Sequence, residues 1–227
     1  MKQHQAGFTL VEIAIVLVII GLLLGGILKG QELINNAKVR NVADQQNAVK
    51  AAYFAFQDRF RALPGDYALA TTNIPNVDPA SNGDGNAQIA GAETVYAWHH
   101  LTNAGFISCA PCAASPVSTP ATPTANNSPV NAFGGIMAII FDNVYNNLAA
   151  TTGTNLNNLK SGNQIPSSVL AEVDRKIDDG DPRTGAFRFS TFSALPTAPN
   201  PATCAPAGSD VWTVTTVDAN CGAANLL

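Results

Sequence analysis

Glu12 is the residue whose position most needs explaining. It is the fifth residue of an otherwise uncharged run, FTLVEIAIVLVIIGLLLGGIL, at residues 8–28. A carboxylate in bilayer hydrocarbon costs roughly 2.5–3.5 kcal/mol or more, and such groups normally have a partner and a function. No Lys or Arg stands within helical reach inside the run. The counter-charge must therefore come from another chain, or from a new amino terminus made by cutting the leader ahead of Phe8.

Other residue types invite chemistry and mostly decline it. Cys109, Cys112, Cys204 and Cys221 allow three pairings in an oxidising compartment. Cys109-Ala-Pro-Cys112 has redox-motif spacing without the strand-to-helix setting such motifs use. One CxxC and two distant cysteines are also a poor zinc ligand set. Asn82-Gly83-Asp84-Gly85-Asn86 alternates oxygen ligands with glycines, as calcium loops do. The full twelve-residue pattern with its final Glu is missing, so an ordinary Asn/Asp/Gly turn is the first reading and calcium the second. Asp178-Asp179-Gly180-Asp181 likewise reads as a helix end and turn. His99 and His100 would project about 100° apart on a helix, which predicts one packed and one solvated ring. No Gly-x-Ser-x-Gly, phosphate-binding loop or HExxH occurs. The sequence therefore predicts no enzyme, and no cofactor beyond calcium at the 82–86 turn.

The elements that must position these residues follow from periodicity. Residues 8–28 would span about 31 Å as a helix, close to the ~30 Å hydrocarbon thickness of a bilayer. Met1-Lys2-Gln3-His4 ahead of it is basic and acid-free, which puts the N-terminus in the cytoplasm and the remainder across the inner membrane. Lys29-Gly30-Gln31-Glu32 after it is no small-x-small signal cleavage site. Val42, Val49, Tyr53, Phe56 and Phe60 extend the helix through about residue 62 as one apolar stripe. Leu63-Pro64-Gly65-Asp66 then stops it. The expected order is a leader (1–7), a transmembrane helix (8–28), its amphipathic continuation (29–63) and a globular head (64–227).

Within the head, helices are predicted over 93–105 and 166–179. Strands are predicted within 134–144, 186–194 and 211–217, the last two from their alternation, AFRFSTFSA and VWTVTTV. The fold class is α+β, with an antiparallel sheet packed on the long helix. Residues 110–131 carry five prolines among small polar residues and read as a loop. Of 227 residues only 12% are charged. From residue 62 onward five Lys/Arg face twelve Asp/Glu, a balance of −7. That acidity argues against nucleic acid as a partner.

The segment Gly7-Phe8-Thr9-Leu10-Val11-Glu12, followed by its apolar helix, resembles the signal of type IV pilins and type II secretion pseudopilins. The resemblance covers residues 1–60. It implies that a prepilin peptidase cuts after Gly7 and N-methylates Phe8. It also implies that Glu12 pairs with the Phe8 ammonium of a neighbouring subunit as a filament grows. One departure is Lys29, which stands where many pilins have proline; Gly21, Gly25, Gly26 and Gly30 supply local looseness or close-packing faces instead. Many pilins close a C-terminal loop with a disulfide, which favours Cys204–Cys221 here and leaves Cys109–Cys112 to pair within its own turn. RALPGDY, ETVYAWHHLTNAGFI and EVDRKIDDGDPRTG resemble a further group of prepilin-type proteins without implying a role.

The function expected is that of a structural filament subunit, a minor pilin or pseudopilin ahead of a major one. It would sit in the inner membrane before assembly and in a pilus or periplasmic pseudopilus afterwards. The alternatives are a periplasmic binding or enzymatic domain on an uncleaved anchor, and an adhesive or DNA-uptake tip pilin.

Overall fold

The computed structural model describes residues 10–114, 122–145 and 154–227. In chain order the elements are α1 (Leu10–Phe60), α2 (Ala70–Asn73), α3 (Glu93–Asn103), α4 (Ala110–Ala113), β1 (Ala138–Asp142), β2 (Leu156–Lys160), α5 (Ser167–Ile177), β3 (Phe187–Phe189), α6 (Pro201–Cys204) and β4 (Ala223–Leu226). The chain divides into two units, Met1–Lys38 and Val39–Leu227, and α1 contributes to both.

In the first unit the large apolar side chains of α1 at residues 10–34 are 46% to 90% exposed. An 18-residue window has mean hydropathy 2.8 with no residue buried, so α1 is long and apolar enough to cross a membrane. A Cβ at Gly21, Gly25, Gly26 or Gly30 would meet nothing within 4 Å. Among the described residues no contact explains why these positions are small.

In the second unit α1 becomes the spine of the core. Val39, Val42, Ala43, Gln46, Val49, Ala52, Tyr53 and Phe56 are buried, the i, i+3, i+4 spacing of one helix face. The near half of this stripe packs with Val169, Leu170 and Val173 of α5, Phe187 and Phe189 of β3, and Trp212. Its far half packs with Trp98 and Leu101 of α3, Met137, Ile139 of β1 and Leu159 of β2. Each such side chain contributes roughly 1.5–3 kcal/mol when withdrawn from water. The sheet runs β1-β2-β4-β3, antiparallel at every step. The architecture is thus a long N-terminal helix with a four-stranded antiparallel sheet, an α+β, pilin-like arrangement.

Local chemistry explains the helix ends. After Phe60, Arg61 turns to φ 54°, and Gly65 follows at φ +91°, where a Cβ would collide with the Glu93 carbonyl of α3. The predicted 93–105 helix is α3, closed by Gly105 at φ +82°. The predicted 166–179 helix is α5, with Asp178 at its C-cap and Gly180 at φ +83°.

Two strand expectations need correction. Residues 211–217 form no strand: Val211, Val214 and Val217 are 47% to 57% exposed, and Trp212 is turned inward. Among the described residues their β propensity has no neighbouring strand to pair with, and propensity alone does not place a strand. The 186–194 strand shortens to Phe187–Phe189. The sheet is completed instead by β2 and β4, whose sequences LNNLK and AANL show no β signal. Their asparagines find partners that sequence cannot reveal. Asn157 Nδ2 donates to Ala87 O at 2.9 Å, and its Oδ1 accepts from Ile89 N at 3.0 Å. Asn158 Nδ2 donates to Asp142 Oδ1 at 3.0 Å. At the end of β2, Lys160 is wholly buried; its Nζ pairs with Asp142 Oδ1 at 2.8 Å and donates to Val144 O at 2.8 Å. Burial pushes the Lys160 ammonium down to about 8, against the pull of Asp142.

Phe56 has no exposed surface and stands among Phe60, Tyr67, His100 and Phe106, whereas Phe54 is 44% exposed. Phe56→Ala should cost about 3–5 kcal/mol of stability, and Phe54→Ala under about 1 kcal/mol. Denaturant unfolding of the detergent-solubilised chain measures both.

Candidate functional site

Gly7 and Phe8, the expected processing junction, lie outside the described residues. Glu12 is exposed in the first turn of α1. A carboxylate near a helix N-terminus gains about 0.3–1 kcal/mol from the macrodipole. That is less than the roughly 2.5–3.5 kcal/mol cost of placing it in hydrocarbon. The helix end alone does not offset insertion of Glu12.

The four cysteines form two disulfides. Cys204 and Cys221 are joined across 17 residues, and Cys109 and Cys112 across three. Cys204 and Cys221 are both buried in the core that contains α5 and β3. The loop between them is fastened by polar contacts to α5 and its flanks. Trp212 Nε1 donates to Asp174 Oδ2 at 2.7 Å, with both groups buried. Asp210 pairs with Arg183. Asp218 N donates to Ser167 Oγ at 3.2 Å, and the Asp218 carboxylate accepts from Thr203. Burial raises Asp174 to about 6, opposed by the Trp212 bond.

At the 82–86 turn the oxygen atoms are engaged by the protein itself. Asn82 Oδ1 accepts from Thr71 N at 3.0 Å, and Asp84 Oδ1 from Asn86 N at 3.0 Å. Asn86 Oδ1 accepts from Gln88 N at 2.7 Å. The turn wraps around a residue that sequence reasoning overlooked, Asp66. Its carboxylate accepts from Gly85 N, Asn86 N and Ala87 N at 2.7, 3.0 and 2.8 Å. Gly83 permits this, because a Cβ there would overlap the Asp66 backbone. Glu93 closes the far side by accepting from Asp84 N at 3.0 Å and Ala90 N at 3.2 Å. The three carboxylates offer oxygens within 4.8 Å of one another. Burial raises Asp66 and Glu93 above the usual carboxylate range. Asp178 plays a similar part after α5, its Oδ2 accepting from Ala186 N and Phe187 N at 2.5 and 2.7 Å. The signal available in sequence for both acids was an aspartate beside a glycine-rich turn.

The expectation for the histidines is corrected. Both rings are buried, at 1% and 0% exposure. His99 Nε2 accepts from Asp78 N at 3.1 Å, and His99 Nδ1 meets Cys112 O at 2.9 Å. His100 Nδ1 accepts from Gly65 N at 2.9 Å, and His100 Nε2 meets Ser81 O at 2.7 Å. Their divergence, which rules out one shared ligand, is what lets them tie down separate segments.

Because Asp174 has a raised folded-state value, the folded chain binds more protons than the unfolded chain between about pH 4 and 6, and Asp174 favours folding as pH falls through that window. Trp212→Phe removes the one side-chain donor that holds the charged form. It should cost about 1.5–3 kcal/mol at pH 7.5, and the cost should shrink below about pH 6. Paired unfolding curves of wild type and variant at the two pH values measure this.

Neither the curated proteins nor the solved structures give a match to this chain. A family model, the prokaryotic N-terminal methylation motif, matches residues 2–28. It overlies the Gly7/Phe8 junction, Glu12 and the apolar part of α1 at once. At the head of its exposed apolar helix the chain carries the signal of the type IV pilins and pseudopilins, which prepilin peptidases process.

Proposed function

We propose that this chain is a structural subunit of a type IV pilus or type II secretion-type filament, a minor pilin or pseudopilin rather than a major one. The observation that carries the reading is the methylation motif at residues 2–28, which coincides with an apolar stretch of α1 in which no residue of the 18-residue window is buried. A plain signal anchor has no use for Gly7 before Phe8, or for a carboxylate five residues further on.

In this reading prepilin peptidase cuts after Gly7 on the cytoplasmic side and methylates the Phe8 amine. The head lies in the periplasm until the subunit leaves the inner membrane for the filament. Glu12 of an arriving subunit pairs with the Phe8 ammonium of its neighbour. Two opposite charges in low dielectric attract strongly, and an unpaired one is penalised, so the pair selects axial register. The calcium alternative at Asn82, Asp84 and Asn86 is left as a second, minor proposal. Asp66 and Asp178 spend their carboxylates on backbone N–H groups of neighbouring turns, which supports a scaffolding role for these acids over a catalytic one.

N-terminal mass spectrometry of membrane-extracted protein should find a methylated Phe8 as the first residue. An intact Met1, or cleavage beyond Leu28, would refute the filament reading.

Glu12→Ala should insert as well as wild type or better, by roughly 2.5–3.5 kcal/mol on the insertion scale. Processing at Gly7 should persist, and the sheared-filament fraction should fall sharply. A variant that assembles normally would show that Glu12 does not set register, and would favour a tip subunit or an anchored periplasmic domain.

A further inference from the structure

His99 and His100 use all four ring nitrogens on backbone groups of other segments. A backbone N–H can only donate, so Gly65 N, 2.9 Å away, requires a bare Nδ1 on His100. The proton of neutral His100 is then on Nε2 and is given to Ser81 O at 2.7 Å. By the same reasoning Asp78 N, at 3.1 Å, requires a bare Nε2 on His99, whose Nδ1–H goes to Cys112 O at 2.9 Å. The adjacent rings therefore hold opposite neutral tautomers. Together they tie three pieces of chain to α3: the turn at Gly65, the stretch from Asp78 to Ser81, and the disulfide turn at Cys112.

We propose that this pair is an acid-releasable clamp, in which a proton taken up at His100 Nδ1 detaches the 63–89 segment from α3 while the sheet stays folded. The geometry leaves little alternative to opening. A proton on Nδ1 would set two N–H groups head to head at 2.9 Å, and the ring has no exposed surface through which water could solvate the charge. From α1 the packed side chain is Phe56, whose ring lies 6.2 Å away at 12° to the imidazole. The titratable groups on the neighbouring elements are His99 and Glu93 on α3, and Asp66, Asp78 and Asp84 on the loop. Asp78 Oδ1 accepts from Ala80 N at 2.8 Å, Asp84 Oδ1 from Asn86 N at 3.0 Å, and Glu93 from Asp84 N and Ala90 N at 3.0 and 3.2 Å. Asp66 commits its oxygens to Gly85, Asn86 and Ala87. Burial accordingly lowers His100 to about 4, with His99 adding to the shift.

The sign is that of a depressed base. The clamp is at full strength above the ordinary histidine range near pH 6.5, and it weakens as pH falls from there toward 4. Asp66 and Glu93 pull the other way, since their raised values favour the closed, protonated form in acid. A variant that cannot titrate at position 100 separates the two effects.

The test is amide hydrogen exchange, resolved by residue, on the full chain in detergent micelles. Between pH 7 and about pH 4.5 the protection factors of the Gly65 and Asp78 amides should fall roughly fiftyfold. The Leu159 amide in β2 should keep its protection. His100→Gln retains an acceptor and a donor but cannot titrate, so its Gly65 protection should be lower at pH 7 and flat with pH. Unchanged protection at Gly65 in wild type, or a parallel fall at Leu159, would overturn the proposal. If His100→Gln does not fold, histidine nitrogen shifts of the wild type decide. Opposite tautomers at pH 7, with His100 titrating as Gly65 loses protection, support the clamp; matching tautomers sink it.

Discussion

The buried stripe of α1, from Val39 to Phe56, is the surface on which the second unit is built. Every other packed element presents its apolar side to it or to a neighbour of it: α5 and β3 at one end, α3, β1 and β2 at the other. Two core clusters therefore form along one helix face. Lys50, at the seam between them, donates to Asn225 Oδ1 at 3.1 Å and Leu226 O at 3.0 Å, which ties β4 to the helix by one side chain and one backbone carbonyl. The same helix at residues 10–34 has no buried large side chain, so the two stretches of α1 answer to different surroundings. Residues 10–34 belong to a stretch long and apolar enough to cross a membrane, residues 39–56 pack into a core, and both lie in one unbroken helix.

Among the described residues the acidic side chains act mostly as internal fasteners. Asp66 gathers three backbone N–H groups of the 82–86 turn and its exit, Asp178 gathers two at the start of β3, and Asp174 holds Trp212. Loops poor in large apolar groups cannot be held by burial alone. A carboxylate that accepts two or three backbone donors is a strong substitute, because charge-assisted bonds are about twice as strong as neutral ones. The negative balance of the second unit is thus partly a structural inventory and only partly a surface field.

These fasteners respond to acid with opposite signs. Buried carboxylates at 66, 93 and 174 resist ionisation, whereas His100 resists protonation. Mild acid therefore relaxes one kind of tie while easing the strain in the other. At these four groups the response to pH is set by local burial.

The sequence by itself determined what depends on short-range pattern. The membrane-length apolar run, the carboxylate within it, the stripe of α1, and the helices ended by Gly105 and Gly180 all follow from periodicity or from a positive φ that glycine tolerates. What only the tertiary structure decided depends on partners far away in sequence. LNNLK becomes a strand between β1 and β4, and AANL one between β2 and β3, while the stronger β former at residues 211–217 has no strand beside it among the described residues. Lys160 is buried because Asp142 and the Val144 carbonyl wait at the end of its side chain. His99 and His100 are both packed because Gly65, Asp78, Ser81 and Cys112 arrive from three other segments. Burial of a polar group is affordable only with a partner in place, and no local pattern records where that partner will be.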